Sequence, residues 1–151
     1  MREECPISDS IKQKVLCAES IAIWPLDPNP LSEPYQIARY LQDRGFHLYP
    51  INDFEDKLLE EICYRDIRLI PDDYDILLLF TQSDSLPEVV NAIFNADYQP
   101  PLIWTHRGIH DQFSFDRLTE GGITTVMDSN LMEHYKEWTE EEESDNSSEC
   151  P

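Results

Sequence analysis

Two hydrophobic rhythms alternate along this chain. Contiguous apolar runs occur at Ile21-Ala22-Ile23-Trp24, Ile76-Leu77-Leu78-Leu79-Phe80 and Leu102-Ile103-Trp104, and a last strand is predicted over residues 123–127. They have the length of strands buried on both faces, as in a parallel sheet. A further strand is predicted over Phe46-His47-Leu48-Tyr49-Pro50-Ile51, and a brief one over residues 67–70, ended by the turn Pro71-Asp72-Asp73. Between these runs, apolar residues recur at helical spacing. Ile11, Val15 and Leu16 mark a lead-in helix within residues 8–19, where Ser8, Asp9 or Ser10 can cap, and Ile37, Ala38 and Leu41 mark a second from about Pro34. Asn52 or Asp53 can cap a short helix through Leu58, Leu59 and Ile62, and Ser85 one carrying Val89, Val90, Ile93 and Phe94. Two more helices are predicted over residues 113–120 and 130–138. Pro25 ends the first strand because it has no N–H to donate, and Gly45 and Gly121-Gly122 stand where helices end.

This alternation predicts an α/β fold, a three-layer sandwich around a mostly parallel sheet with right-handed crossovers. At 151 residues the chain reads as one domain over residues 1–138, followed by an acidic tail, residues 139–151, that is expected to be disordered. Residues 20–52 have the size of a βαβ unit. In such a unit a nucleotide's phosphates sit in the first βα loop, on the helix N-terminus.

Charge narrows the range of partners. The chain carries 31 acidic and 11 basic residues, net −20. The tail contributes part of this, but Met1–Lys136 alone still holds 24 acids against 11 bases. Such a body repels nucleic acid, so none is expected as a partner. Cys5, Cys17, Cys63 and Cys150 are widely spaced without a CxxC pair, and reduced thiols are expected. Met1-Arg2-Glu3-Glu4 opens without an apolar signal segment, and the longest apolar run is too short to span a bilayer. A soluble, cytoplasmic protein with no membrane partner is therefore expected.

Ligands of open α/β sheets bind among the loops at the strands' carboxyl ends. Here those loops are residues 25–34, Asn52-Asp53, Thr81-Gln82-Ser83, Thr105-His106-Arg107-Gly108 and Asp128-Ser129-Asn130. The first is the informative one. A phosphate cradle needs glycines and free N–H groups, yet Pro25, Pro28, Pro30 and Pro34 remove four donors, the loop has no glycine, and Asp27 and Glu33 add negative charge. A stiff structural loop is the better reading of that stretch. Arg107 is the only basic residue in these loops and the best single candidate for an anionic contact. His106 and His110 lack neighbours at ligand spacing, so no metal is expected, and no nucleophile–base spacing predicts catalysis. The acidic run at residues 140–143 reads as a solvating segment.

A set of anchors carries a resemblance over residues 20–135. They are Ile21-Ala22-Ile23, then Tyr35-Gln36-Ile37-Ala38-Arg39-Tyr40-Leu41 with Gly45-Phe46, and Tyr49-Pro50-Ile51-Asn52. Further on come Ile70-Pro71-Asp72-Asp73-Tyr74-Asp75-Ile76, Leu86-Pro87-Glu88-Val89-Val90, Ile103-Trp104-Thr105-His106-Arg107-Gly108-Ile109 and Val126-Met127-Asp128. In order and spacing the chain resembles the small stand-alone bacterial CoA-binding-domain proteins, relatives of the N-terminal domain of the succinyl-CoA synthetase alpha subunit. The resemblance implies a Rossmann-like sheet of order 3-2-1-4-5-6 and a CoA or acyl-CoA ligand. Departures gather at ligand-facing positions. Pro25-Leu26-Asp27 stands for a Gly-Ala-Ser-type loop, Pro34-Tyr35-Gln36 for Ser-Tyr-Gly, Asn52-Asp53 for Asn-Pro, and Thr81-Gln82 for an Arg or other polar residue. Met127-Asp128-Ser129-Asn130 stands for Met-Asp-Arg-Cys.

Two readings follow. One is a non-enzymatic CoA-binding-type domain that holds CoA, acyl-CoA or a related nucleotide weakly or has lost it, with Trp24, Leu26, Asn52, Thr81, Arg107 and Asn130 as the expected lining. The other is a protein-interaction or regulatory module on the same scaffold, working through its acidic face or tail.

Overall fold

The computed structural model describes residues 9–145, with side-chain surroundings through residue 140. The elements are α1 (Asp9–Leu16), β1 (Ser20–Trp24), α2 (Glu33–Asp43), β2 (His47–Pro50), β3 (Lys57–Leu58), β4 (Glu61–Ile62), β5 (Ile76–Leu79), α3 (Leu86–Asn95), β6 (Leu102–Thr105), α4 (Gln112–Glu120), β7 (Thr124–Val126) and α5 (Leu131–Asp145). Five strands form one sheet, ordered β2-β1-β5-β6-β7, and every pairing in it is parallel.

The contiguous apolar runs become strands because both faces of this sheet are covered. Alternate residues of each strand enter opposite cores. Ile21, Ile23, Ile76, Leu78, Leu102 and Trp104 pack with Val15 of α1, Ile37, Ala38 and Leu41 of α2, and Leu131 and Trp138 of α5. Ala22, Leu77, Leu79 and Ile103 pack on the other side with Leu86, Val89, Val90 and Ile93 of α3 and Leu118 of α4. The result is the expected three-layer Rossmann-like sandwich. Nearly all of these side chains are fully buried, so each is worth roughly 1.5–3 kcal/mol of apolar transfer.

The six-strand order 3-2-1-4-5-6 is realised in five strands. Its outermost member is reduced to one isolated parallel bridge, Ile51 to Tyr64, beside the edge of β2. There the Asn52 N–H donates to the Tyr64 carbonyl at 3.0 Å, and the Tyr64 N–H donates to the Pro50 carbonyl at 2.9 Å.

Two local expectations around that edge are corrected. Residues 67–69 form a 3-10 turn instead of a strand, because the Asp66 side chain accepts the Arg68 N–H and starts a helical turn. The helix expected after Asn52 is instead the antiparallel hairpin β3–β4. Its turn places Leu59 and Glu60 at φ 52 and 65, and two positive values are what a type I′ hairpin turn requires. Gln42 Nε2 donates to the Leu59 carbonyl at 2.8 Å, and Leu59 packs on the core, so tertiary contacts override helix propensity here.

The helix boundaries also differ in detail. Ser85 has helical φ and makes no capping bond, because a 3-10 turn over Ser83–Ser85 feeds α3 directly. α5 continues through Asp145, seven residues past the expected domain end. Ser8, Cys5, Cys150 and the tail beyond Asp145 lie outside the described residues. Of the remaining cysteines, Cys63 is free as expected, whereas Cys17 is disulfide-bonded. That corrects the all-reduced expectation: spacing along a chain does not report which thiols the fold brings together. Among the described residues, no helix is long and apolar enough to cross a membrane.

Candidate functional site

All five strands point their carboxyl ends at one rim, where the loops carrying the candidate residues meet. Hydrogen bonds tie neighbouring loops together in two groups. The Leu26 N–H donates to the Ile51 carbonyl at 3.0 Å, and Asn52 Nδ2 donates to the Leu26 carbonyl at 2.9 Å, joining the first loop to the second. The His110 N–H donates to Ser83 Oγ at 2.9 Å, joining the loops after β5 and β6. The Gly108 N–H reaches Asp128 Oδ1 at 2.6 Å, and Asp128 itself sits at φ 59 so that its own N–H meets Thr105 Oγ1 at 3.0 Å.

An accounting of amides in the first loop decides what it can bind. Four of its residues are prolines. The Asn29 N–H goes to Asp27 Oδ1 at 2.9 Å, the Leu31 N–H to Asn29 Oδ1 at 3.0 Å, and the Ser32 N–H to the Asn29 carbonyl at 2.9 Å. At the start of α2, Pro34 has no N–H, the Tyr35 N–H is capped by Ser32 Oγ at 3.3 Å, and the Gln36 N–H closes on the Ser32 carbonyl. Among the described contacts, only the amides of Asp27 and Glu33 are left, and both residues carry a carboxylate.

The N-terminus of α2 still receives an anion, supplied by the chain itself. Glu33 is the first residue of the helix, and its Oε1 lies 3.2 Å from His106 Nε2. The His106 side chain is 9% exposed and Glu33 62%, so a buried imidazole is met by a carboxylate free to move on the solvent side. The positive end of α2 favours a carboxylate at this position. Phe80 packs on the imidazole, with ring centroids 5.0 Å apart. His106 Nδ1 and the neighbouring Thr81 Oγ1 are buried, and neither has a partner among the described residues.

The six residues expected to line a ligand take up different tasks. Trp24 ends β1 half-buried, and its carbonyl accepts the Phe80 N–H at 2.8 Å. Leu26 is wholly buried in the core, so only its backbone faces the loops. The buried Asn52 is fully engaged: its Oδ1 accepts the N–H groups of Phe54 and Glu55 at 2.6 and 2.7 Å, while its Nδ2 holds Leu26. Thr81 stands at the rim with its hydroxyl turned inward. Arg107 is exposed and bonded to Glu133 Oε1 at 2.6 Å. Asn130 is buried and caps α5, accepting the Glu133 N–H at 3.1 Å. Thr81 and Arg107 flank His106 on neighbouring strand ends, whereas Leu26, Asn52 and Asn130 build the scaffold beneath them.

The pair that sequence reading missed is Glu33 with His106. Glu33 stood out there only as charge at a helix start, and His106 only as half of a His pair. No spacing signal joins two residues from different loops; only the sheet order does. Among the described residues, no group of three or more His, Cys, Asp or Glu side chains could hold a metal ion. A cavity of about 240 Å³ lies at the opposite, amino edge, against Ile70, Asp72, Tyr74, Asp97 and Tyr98. It is remote from the strand ends where ligands of this fold class bind.

With this geometry in hand, comparison with known proteins gives a consistent result. The profile of the CoA binding domain matches residues 19–135. An uncharacterized protein, YneT, of Bacillus subtilis strain 168 is 26% identical over 123 residues, which is 82% of this chain and 90% of that protein. The structure of cell-free ID.343 from Thermus thermophilus superposes with a TM-score of 0.75 at 27% identity, over 85% of this chain and 96% of that one. A hypothetical protein from Pyrococcus horikoshii OT3 shares the fold with a TM-score of 0.79 at 19% identity, over 91% of this chain and 98% of that one. This chain, with a parallel sheet whose first βα loop is tied up by its own side chains, belongs to the CoA binding domain family.

Proposed function

We propose that this chain is a non-enzymatic CoA-binding-type domain that takes CoA, acyl-CoA or a related nucleotide weakly, because the ligand's phosphate must displace Glu33 from His106. The contact between Glu33 and His106 at 3.2 Å carries this reading. A carboxylate at the first position of α2 occupies the imidazole Nε2 and offsets the positive helix end that a phosphate would otherwise use. Because Glu33 is mostly exposed, it can swing into solvent and uncover His106, so the seat is occupied but not sealed. Arg107, held by the equally exposed Glu133, can be released toward a ligand in the same way.

The absence of catalysis is part of the proposal. Ser129 Oγ lies 3.0 Å from His134 Nε2, but these residues bracket the first turn of α5 on either side of its Asn130 cap. The His134 ring is packed between Trp104 and Trp138, at 5.8 and 5.3 Å. Such a contact fixes the entry of the chain into a helix, in the manner of a staple across its cap.

Thermal shift tests the proposal. A ligand that prefers the native state raises the melting temperature with concentration. CoA and acetyl-CoA at millimolar concentration are expected to give a small rise in the wild type and a larger one in Glu33→Gln. No rise in either protein would overturn the proposal.

A further inference from the structure

Two large apolar side chains on this acidic protein are held out in water, and they stand on the two loops that are bonded together. Leu31 is 83% exposed and Phe54 is 88% exposed. Neither is on a loose segment. Each lies two residues after an asparagine whose side-chain oxygen accepts its amide: Asn29 for Leu31 at 3.0 Å, Asn52 for Phe54 at 2.6 Å. The loops that carry them are joined through Leu26 and Asn52. Burying such side chains is favourable, and nothing in the described fold buries these two.

We propose that Leu31 and Phe54 form a two-point apolar anchor for a basic, apolar segment of a partner protein. The surrounding charge selects that occupant. Residues 25–34 and 51–56 contain no Lys or Arg, and they carry Asp27, Glu33, Asp53, Glu55 and Asp56. Arg65, the cation bonded to this loop, is committed to the Asn52 and Glu55 carbonyls at 2.8 Å and to Asp56 at 3.0 Å, which leaves Lys57 at the start of β3 against these five carboxylates. A second copy would bring the same carboxylates against these and a further net −20, which opposes self-association. A segment with Lys or Arg between large apolar residues meets both the field and the two side chains. The anchor shares Glu33 with the proposed CoA seat, but its two apolar side chains, Leu31 and Phe54, do not belong to that seat, so variants of these two test it separately.

Fluorescence anisotropy with two labelled peptides tests this, one alternating Lys and Leu, the other Lys and Ser, at physiological salt. The Lys–Leu peptide is expected to bind at least about tenfold more tightly than the Lys–Ser peptide. The double variant Leu31→Ser/Phe54→Ser, which keeps the charge and is expected to keep the melting temperature because both side chains are exposed, is expected to lose about that factor. Equal binding of both peptides, equal binding to both proteins, or no binding of either would overturn the proposal. So would a dimer of the wild type in sedimentation that Leu31→Ser/Phe54→Ser dissolves, because the anchor would then serve a second copy.

Discussion

Single residues set the chemistry of this protein in ways the sequence disclosed unevenly. The prolines of the first loop and the acids beside them were plain on the chain, and the structure adds that Asp27, Asn29 and Ser32 take most of the remaining amides, leaving those of Asp27 and Glu33. Asn52 and Asn130 were legible as polar residues at strand ends, but their roles as a loop clip and a helix cap depend on partners that only folding supplies. Cys63 shows how burial tunes a group in isolation. Burial pushes its thiol up to about 11, with Arg65 pulling the other way. The folded state therefore keeps a proton that the unfolded chain has already lost, so stability is intact below the unfolded thiol's ordinary value and falls as pH rises toward about 11. The urea midpoint is expected to drop across this window, and Cys63→Ala is expected to remove the earliest part of the drop. Tyr49, pushed up to about 12 by burial and by its bond to Asp72, continues the decline at higher pH.

Elements followed the hydrophobic pattern wherever burial on two faces was decisive. β1, β5 and β6 were read from their contiguous apolar runs, because no other arrangement covers four such residues in a row. The pattern failed between Asn52 and Ile70, where Leu58, Leu59 and Ile62 have helical spacing yet form a hairpin. There the outcome is set by the Asn52 side chain, the packing of Leu59 and the bridge at Tyr64, none of which is a local property. Glu60 sits exposed at φ 65, a conformation that glycine adopts without cost. Glu60→Gly is expected to stabilise the protein by about 0.5 kcal/mol in urea unfolding, as relief of the left-handed strain slightly outweighs the added backbone entropy. Ser32→Ala removes the cap of α2 and is expected to cost about 1 kcal/mol in the same assay.

For the molecule as a whole, the fold outside residues 52–70 was expressed in pattern and anchor spacing, whereas the pairing of Glu33 with His106 was not. A net charge of −20 on a compact body creates self-repulsion that salt relieves, so the melting temperature is expected to rise by several degrees between low and molar NaCl. A flat response would mean that the acids are already paired locally. The family scaffold is intact, and Glu33 meets His106 at the start of α2, where the proposed phosphate seat lies. Removing one negative charge about 4 Å from a phosphate is worth about 1 kcal/mol in bulk water and about 4 kcal/mol for a pair held at a protein surface, and the mostly exposed Glu33 lies toward the first. The most direct measurement is calorimetric titration of CoA into the wild type, Glu33→Gln, His106→Ala and the double variant. Glu33→Gln is expected to bind CoA about five- to tenfold more tightly than the wild type, with that gain lost when His106 is also replaced. Equal CoA affinity in all four proteins would contradict the displacement of Glu33 as the step that limits binding.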